Sequence, residues 1–179
     1  SFSPTPKFIP NLDINYKKHN ISQVLDLTIE EALEFFADKT PIISKLQPLF
    51  DVGLGYIKLG QSSSSLSGGE AQRVKLASFL GKGKGGMSDI LFIFDEPTTG
   101  LHFHDIQKLL DAINSLVNLG NTVVVIEHNM EIIKSADWII DLGPDGGDGG
   151  GDISFYGTPE EMVSIKNNHT ARYLKGKLA

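Results

Sequence analysis

The chain has 179 residues, of which 40% are apolar and 21% charged, and its formal net charge at pH 7 is −6. This length permits one domain, or a small and a medium one, with the composition of a globular protein. Because the net charge is negative, any contact with nucleic acid has to be local. The absence of Cys excludes disulfides, a thiol nucleophile and a Cys-based zinc site. No apolar run approaches the roughly 20 residues of a membrane span, and no signal peptide is recognisable, so we expect a cytoplasmic protein.

The first part of the sequence is predicted to be helical. Residues 1–20 contain three Pro and show no hydrophobic period, which predicts an extended arm. A helical domain follows over residues 21–87, with a polar, Ser-rich loop at 61–65. Its three predicted helices begin after Thr28, near Thr40-Pro41 and after Ser67.

From residue 88 the pattern changes to that of an α/β domain, which we predict over residues 88–179. An all-apolar run at 90–94 and the run Thr-Val-Val-Val-Ile at 122–126 predict buried strands, as in a sheet covered on both faces. A helix closed by Gly120 is predicted between them. Further strands are predicted at 138–142 and 153–156, and a helix from Thr158-Pro159. Alternation of strands and helices predicts a mostly parallel sheet.

Residues 66–70, Leu-Ser-Gly-Gly-Glu, are called the Ser67 turn here. Ser67 and Glu70 have the spacing of a capping box, in which each side chain accepts the backbone amide of the other residue. Gly68 and Gly69 leave the first helical turn without side chains, so a ligand can approach the amides closely. This pattern predicts either an anion site or an ordinary capped helix, and by itself it favours the capped helix.

Two carboxylates and a histidine follow the first two predicted strands. Asp95 and Glu96 come directly after the first strand, and His128 follows the second. Neighbouring parallel strands would place all three at one edge of the sheet, where α/β proteins bind ligands. There Asp95 would hold Mg²⁺ or its water, Glu96 would orient or deprotonate an attacking water, and His128 would donate to a phosphate oxygen. A turn-capping Asp and a His bonded at a helix start are the alternatives.

Two other segments carry weaker signals. A basic cluster comprises Arg73, Lys75, Lys58, Lys82 and Lys84. We interpret it as a solvated face or a domain contact in preference to a phosphate-binding surface. Gly81 and Gly86 have the spacing of a phosphate loop, but Met87 occupies the position of the required Lys. Residues 81–86 are therefore interpreted as a linker.

Together these motifs resemble those of ABC-type ATPases. The Ser67 turn looks like their signature motif, residues 90–96 like the Walker B strand, residues 97–102 like the D-loop region, and His128 like the switch histidine. The resemblance implies a partial α/β nucleotide-binding domain with a mostly parallel sheet, preceded by a helical signature subdomain. In this family two halves sandwich two ATP molecules with Mg²⁺, and each site joins the Walker motifs of one half to the signature of the other.

That arrangement implies a role for each matching residue. Asp95 would serve Mg²⁺, and Glu96 and His128 would serve catalysis. The γ-phosphate of an ATP held elsewhere would be contacted by Ser67, Gly68, Gly69 and Glu70.

Within this superfamily the chain is similar to the UvrA family of bacterial nucleotide excision repair. The similar segments are residues 52–61, 95–102, 126–129 and 141–147, and the likeness extends from about residue 21 to the end. It implies the C-terminal part of a DNA-damage-recognition ATPase. Such a protein carries a second, N-terminal ATPase half, forms a homodimer, binds damaged double-stranded DNA and loads the partner subunit UvrB. The zinc site of that family has no counterpart in this sequence.

The sequence departs from the family in lacking a Walker A motif and a recognisable Q-loop. We therefore expect the chain alone not to hydrolyse ATP at a useful rate, and we expect an apolar surface or edge of its sheet to be exposed. Two alternatives stay open. One is another ABC-type ATPase, of transport or chromosome maintenance, against which segments 98–102 and 143–147 argue. The other is a non-enzymatic interaction module with a degenerate nucleotide fold.

Overall fold

The computed structural model describes residues 14–81, 89–143 and 150–178. The chain divides into two compact units, Ser1–Gly83 and Lys84–Ala179, and each is described by itself. Of the predicted linker and phosphate-loop-like segment, only Gly81 lies within the described residues. Of segment 143–147, only Gly143 does. Within the described ranges, no helix is long and apolar enough to cross a membrane.

The first unit is helical, and its helices begin where side chains cap them. They are α1 (Ile21–Asp26), α2 (Ile29–Phe35), α3 (Thr40–Asp51) and α4 (Gly68–Leu80), with a 3-10 turn at Ser63–Ser65. Capping boxes start α1, α2 and α4, at Asn20, Thr28 and Ser67. The three predicted helices are confirmed, and α1 is an addition. The unit buries the apolar side chains of Ile29, Ala32, Leu46, Val52, Leu54, Ile57, Leu76 and Ala77.

Residues 14–20 differ from the predicted extended arm. Tyr16 and His19 exchange backbone hydrogen bonds of 2.9 and 3.0 Å across a tight turn, in which Lys17 and Lys18 have φ of 48° and 67°. The Tyr16 ring stacks on Phe36 at the end of α2, with a centroid distance of 5.9 Å. Aromatic packing thus turns this segment back onto α2.

The second unit alternates strands and helices. Its elements are β1 (Leu91–Asp95), α5 (Phe103–Asn118), β2 (Thr122–Ile126), α6 (Met130–Ile133), β3 (Ile139–Leu142), β4 (Ile153–Gly157), α7 (Pro159–Met162) and α8 (His169–Leu174). The predicted parallel pairing is confirmed for β1 and β2, whose register places Asp95 opposite Ile126. Among the described residues, β3 and β4 form a separate antiparallel pair.

The parallel pair is covered on one face only, so the prediction of strands buried on both faces is wrong. Phe92 and Phe94 are buried on β1, and Val125 of β2 packs against a cluster that includes Ile106 and Leu110 of α5. The alternate side chains are 44–63% exposed, namely those of Leu91, Ile93, Val124 and Ile126. An apolar sheet surface is therefore exposed, as expected.

Candidate functional site

The Ser67 turn is held by reciprocal hydrogen bonds. Ser67 Oγ accepts the amide of Glu70 at 3.2 Å, and Glu70 Oε2 accepts the amide of Ser67 at 2.7 Å. The predicted capping box is therefore present, and it orients the first turn of α4.

A tyrosine supports this turn from outside the helix. The hydroxyl of Tyr56 donates to Glu70 Oε1 at 2.6 Å, and Arg73 Nη2 lies 3.4 Å from that hydroxyl oxygen. The Tyr56 hydrogen bond, followed by that from the Ser67 amide, lowers the pKa of Glu70. Burial, followed by the bond to Glu70, raises the pKa of Tyr56. Glu70 is thus held as a carboxylate that accepts hydrogen bonds on both oxygens.

The start of α4 is open to a ligand at Gly68, which is exposed, whereas Gly69 is buried. Ser67 Oγ satisfies the amide of Glu70, which leaves those of Gly68 and Gly69 without an intrahelical acceptor. Gly68 is exposed, and a Cβ at this position would meet no atom within 4 Å. The packing of this chain therefore does not require glycine at position 68. A bound anion would require it, because a side chain would block close approach to the amides.

The ends of β1 and β2 bring Glu96 and His128 together, as expected. Glu96 directly follows β1, and its amide donates to the carbonyl of Ile126, the last residue of β2, at 2.9 Å. His128 Nδ1 lies 3.7 Å from Glu96 Oε1, and Asp95 is the adjacent strand-end carboxylate. The Glu96 and His128 side chains are 56% and 82% exposed, so their contact contributes little to stability. We call Asp95, Glu96 and His128 the strand-end cluster; their chemical roles stay predictions.

The backbone at Glu96 is unusual for a residue with a side chain. Its φ is 46°, in the left-handed region. This conformation costs a non-glycine residue roughly 1–2 kcal/mol and is retained only where neighbouring contacts impose it. Strained residues of this kind are concentrated at functional sites, which supports a role for Glu96.

Glu127, to which we assigned no role from the sequence, connects the loops after β1 and β2. Its Oε1 accepts the amide and the hydroxyl of Thr98, at 2.8 and 2.5 Å. Its Oε2 accepts the amides of His128 and Asn129, at 3.0 and 3.1 Å. Its only signal in the sequence is a carboxylate between the apolar end of a strand and a candidate site residue.

The carboxylates suit a metal ion that arrives with a nucleotide. Among the described residues, no group of three or more His, Cys, Asp or Glu could hold a metal by itself. Mg²⁺ usually takes one or two carboxylates, and fills its other positions with waters and phosphate oxygens. Asp95, at an exposed edge of the sheet, fits that pattern.

The described members of the predicted basic cluster do not form one solvated face. Arg73 is fully buried beside Tyr56, and Lys58 pairs with Asp26 at 3.1 Å. Lys82 and Lys84 lie outside the described residues. The interpretation of Arg73 as part of a solvated face is wrong, because α4 turns this side chain into the first unit.

Comparison with proteins of known sequence gives a consistent result, although no family model matches the chain. It is 58% identical over 164 residues to UvrABC system protein A of Agrobacterium fabrum, a match that covers 92% of this chain and 17% of the relative. It is 60% identical over 167 residues to UvrABC system protein A of Escherichia coli O6:H1, which covers 93% of this chain and 18% of the relative. The chain therefore spans less than a fifth of the length of these relatives.

A solved structure agrees with these relatives. The crystal structure of UvrA2 from Deinococcus radiodurans is 42% identical, with a TM-score of 0.79, over 96% of this chain and 21% of that one. The match confirms the predicted fold class, a partial α/β domain of the ABC-ATPase type, and the alternatives to the UvrA resemblance are not favoured. The chain is thus UvrA-like over nearly its whole length.

Proposed function

We propose that this chain supplies the signature turn, the Walker B carboxylates and the switch histidine of a UvrA-like ATPase of nucleotide excision repair. The contact between Glu96 and His128 at the ends of β1 and β2 carries the proposal. The identity to UvrABC system protein A of Agrobacterium fabrum, over 92% of the chain, supports it. So does the open Gly68 position at the start of α4.

The strand-end cluster has the groups that phosphoryl transfer to water needs. Bound ATP and Mg²⁺ would supply the γ-phosphoryl group and the charge that neutralises it. Asp95 would hold Mg²⁺ or one of its waters. Glu96 would orient the attacking water or take its proton. Because Nδ1 of His128 is the nitrogen that lies 3.7 Å from Glu96 Oε1, Nε2 is the nitrogen that would donate to a phosphate oxygen.

The Ser67 turn would act on a different nucleotide. The hydroxyl of Ser67 and the amides of Gly68 and Gly69 would contact the γ-phosphate of an ATP held by another ATPase half. Glu70 keeps this turn in shape through its bonds to Ser67 and Tyr56. No G-x4-G-K-[ST] occurs in the sequence, so the chain alone is expected not to hydrolyse ATP.

The partners follow from the same family. The chain would work in the cytoplasm with a second ATPase half, within a homodimer, on damaged double-stranded DNA and with UvrB. Since the net charge is −6, its contribution to DNA binding would be local.

A chimaera tests the proposal. This chain replaces the matching segment of the Escherichia coli relative, to which it is 60% identical. ATP hydrolysis is measured on the purified protein, and survival after ultraviolet irradiation is measured in cells that lack the native relative. We expect the chimaera to hydrolyse ATP and restore survival. Glu96→Gln should abolish hydrolysis and retain ATP binding, whereas Glu160→Gln, at an exposed position of α7, should change neither.

Two results would contradict the proposal. The first is phosphate release by the purified chain alone that Glu96→Gln abolishes, since the chain would then hold a complete site. The second is a chimaera that folds and binds its partners but hydrolyses no ATP, which would favour a non-enzymatic interaction module.

A further inference from the structure

We propose that Glu127 is a positioning residue that clamps the loop after β1 to the loop after β2 and so holds Glu96 near His128. The proposal rests on the proposed ATPase function, because it assigns a role to Glu127 in the same reaction. The clamp consists of one carboxylate and four donors. Two donors belong to Thr98, 29 residues earlier in the chain, and two are the amides of His128 and Asn129.

The clamp restrains the backbone next to Glu96 and the backbone of His128. Thr98 lies two residues after Glu96, and the amide of Thr99 donates to the carbonyl of Glu96 at 3.1 Å. Fixing Thr98 therefore restricts the turn that keeps Glu96 at a φ of 46°. At the other end, the bond to the His128 amide fixes the backbone from which the imidazole extends. The 3.7 Å separation of the two side chains depends on both loops.

A carboxylate is the side-chain group that this position needs. Each oxygen of Glu127 accepts two donors. Three of the four donors are backbone amides, which cannot accept a hydrogen bond through nitrogen, whereas the Thr98 hydroxyl can also accept one. Glutamine has one accepting oxygen, and its amino group would face two donors. Glu127→Gln therefore loses the amide bond of Thr98 in one orientation and the amide bonds of His128 and Asn129 in the other, with no loss of side-chain volume.

The first test uses the full chain and needs no nucleotide. Amide hydrogen exchange is measured by NMR for wild type and Glu127→Gln. We expect exchange at Thr98, or at His128 and Asn129, to become roughly 10–100-fold faster, as expected for lost hydrogen bonds to a charged acceptor. The matched control is Glu131→Gln in α6, which removes the carboxylate that pairs with Lys134 and Lys177. It should leave the exchange rates of the Thr98, His128 and Asn129 amides unchanged. Unchanged exchange in Glu127→Gln overturns the proposal.

The second test uses the chimaera and separates positioning from folding. We expect Glu127→Gln to lower kcat by about 10–100-fold with little change in KM for ATP, because misplaced catalytic groups affect the chemical step. Thr98→Ala, which keeps the backbone donor, should lower kcat less, and its effect should not add to that of Glu127→Gln. An unchanged kcat, or an equal fall in Glu131→Gln, overturns the proposal. A wild-type chimaera without activity counts against the proposed function, whereas the exchange experiment still decides on the clamp.

Discussion

Replacing Glu96 by glycine should stabilise the protein while it removes the proposed catalytic carboxylate. Glu96 has a φ of 46°, a conformation that glycine adopts freely. Its amide bond to Ile126 uses only the backbone and would persist. The side chain is 56% exposed and its contact with His128 is 3.7 Å long, so its removal costs little.

The size of the effect follows from two opposing terms. Relief of the left-handed conformation contributes roughly 1–2 kcal/mol. The greater freedom of glycine in the unfolded chain offsets about 0.5–1 kcal/mol of that gain. With the middle of each range, the expected net stabilisation is about 0.75 kcal/mol. This raises the Tm of a unit of this size by about 3–6 °C.

Thermal unfolding of the full chain, followed by circular dichroism, measures this shift. Glu96→Gln keeps the strained backbone and should have the same Tm as the wild type. Asn167→Gly, at a φ of 63° outside the strand-end cluster, should raise the Tm less than Glu96→Gly, because Asn tolerates the left-handed conformation better than Glu. A Glu96→Gly chain that is no more stable than Glu96→Gln would refute the strain argument. In the chimaera both Glu96 variants should lose hydrolysis, which would separate stability from activity.

Three further outcomes are expected. Gly68→Ala should stabilise α4 by up to about 0.5 kcal/mol in urea unfolding, because alanine has less freedom in the unfolded chain and its Cβ meets no atom at this first helical position. It should nevertheless lower hydrolysis by the chimaera, and a destabilised variant would contradict this. The pKa of Glu70 is lowered below 4.5, so the stability lost in Glu70→Gln should be full at pH 6 and shrink as the pH falls below 4.5; a difference that grows towards acid refutes the assignment. The exposed face of β1 and β2 should make the chain self-associate, and Ile93→Lys with Val124→Lys should reduce this in light scattering; a monomeric wild type at high concentration would count against it.

The sequence predicted the capping boxes at Thr28 and Ser67 and the helix that begins at Pro159. It also predicted the strands, at 90–94 and 122–126, which the structure has at Leu91–Asp95 and Thr122–Ile126. Each depends on residues within one turn or one short run of the chain, so the sequence pattern contains the whole interaction. The capping box of α1, with Asn20 and Gln23, was equally local, and we did not predict it because its helix is six residues long.

The sequence by itself therefore determined which segments are helices and strands, and that two carboxylates and a histidine follow parallel strands. The tertiary structure alone decided that Arg73 is buried, that one face of the sheet is exposed, and that Glu127 joins two loops. The reason is separation along the chain: Glu127 and Thr98 are 29 residues apart, and Tyr56 and Arg73 are 17 apart. Contacts at such separations depend on how elements pack, which local periodicity does not encode.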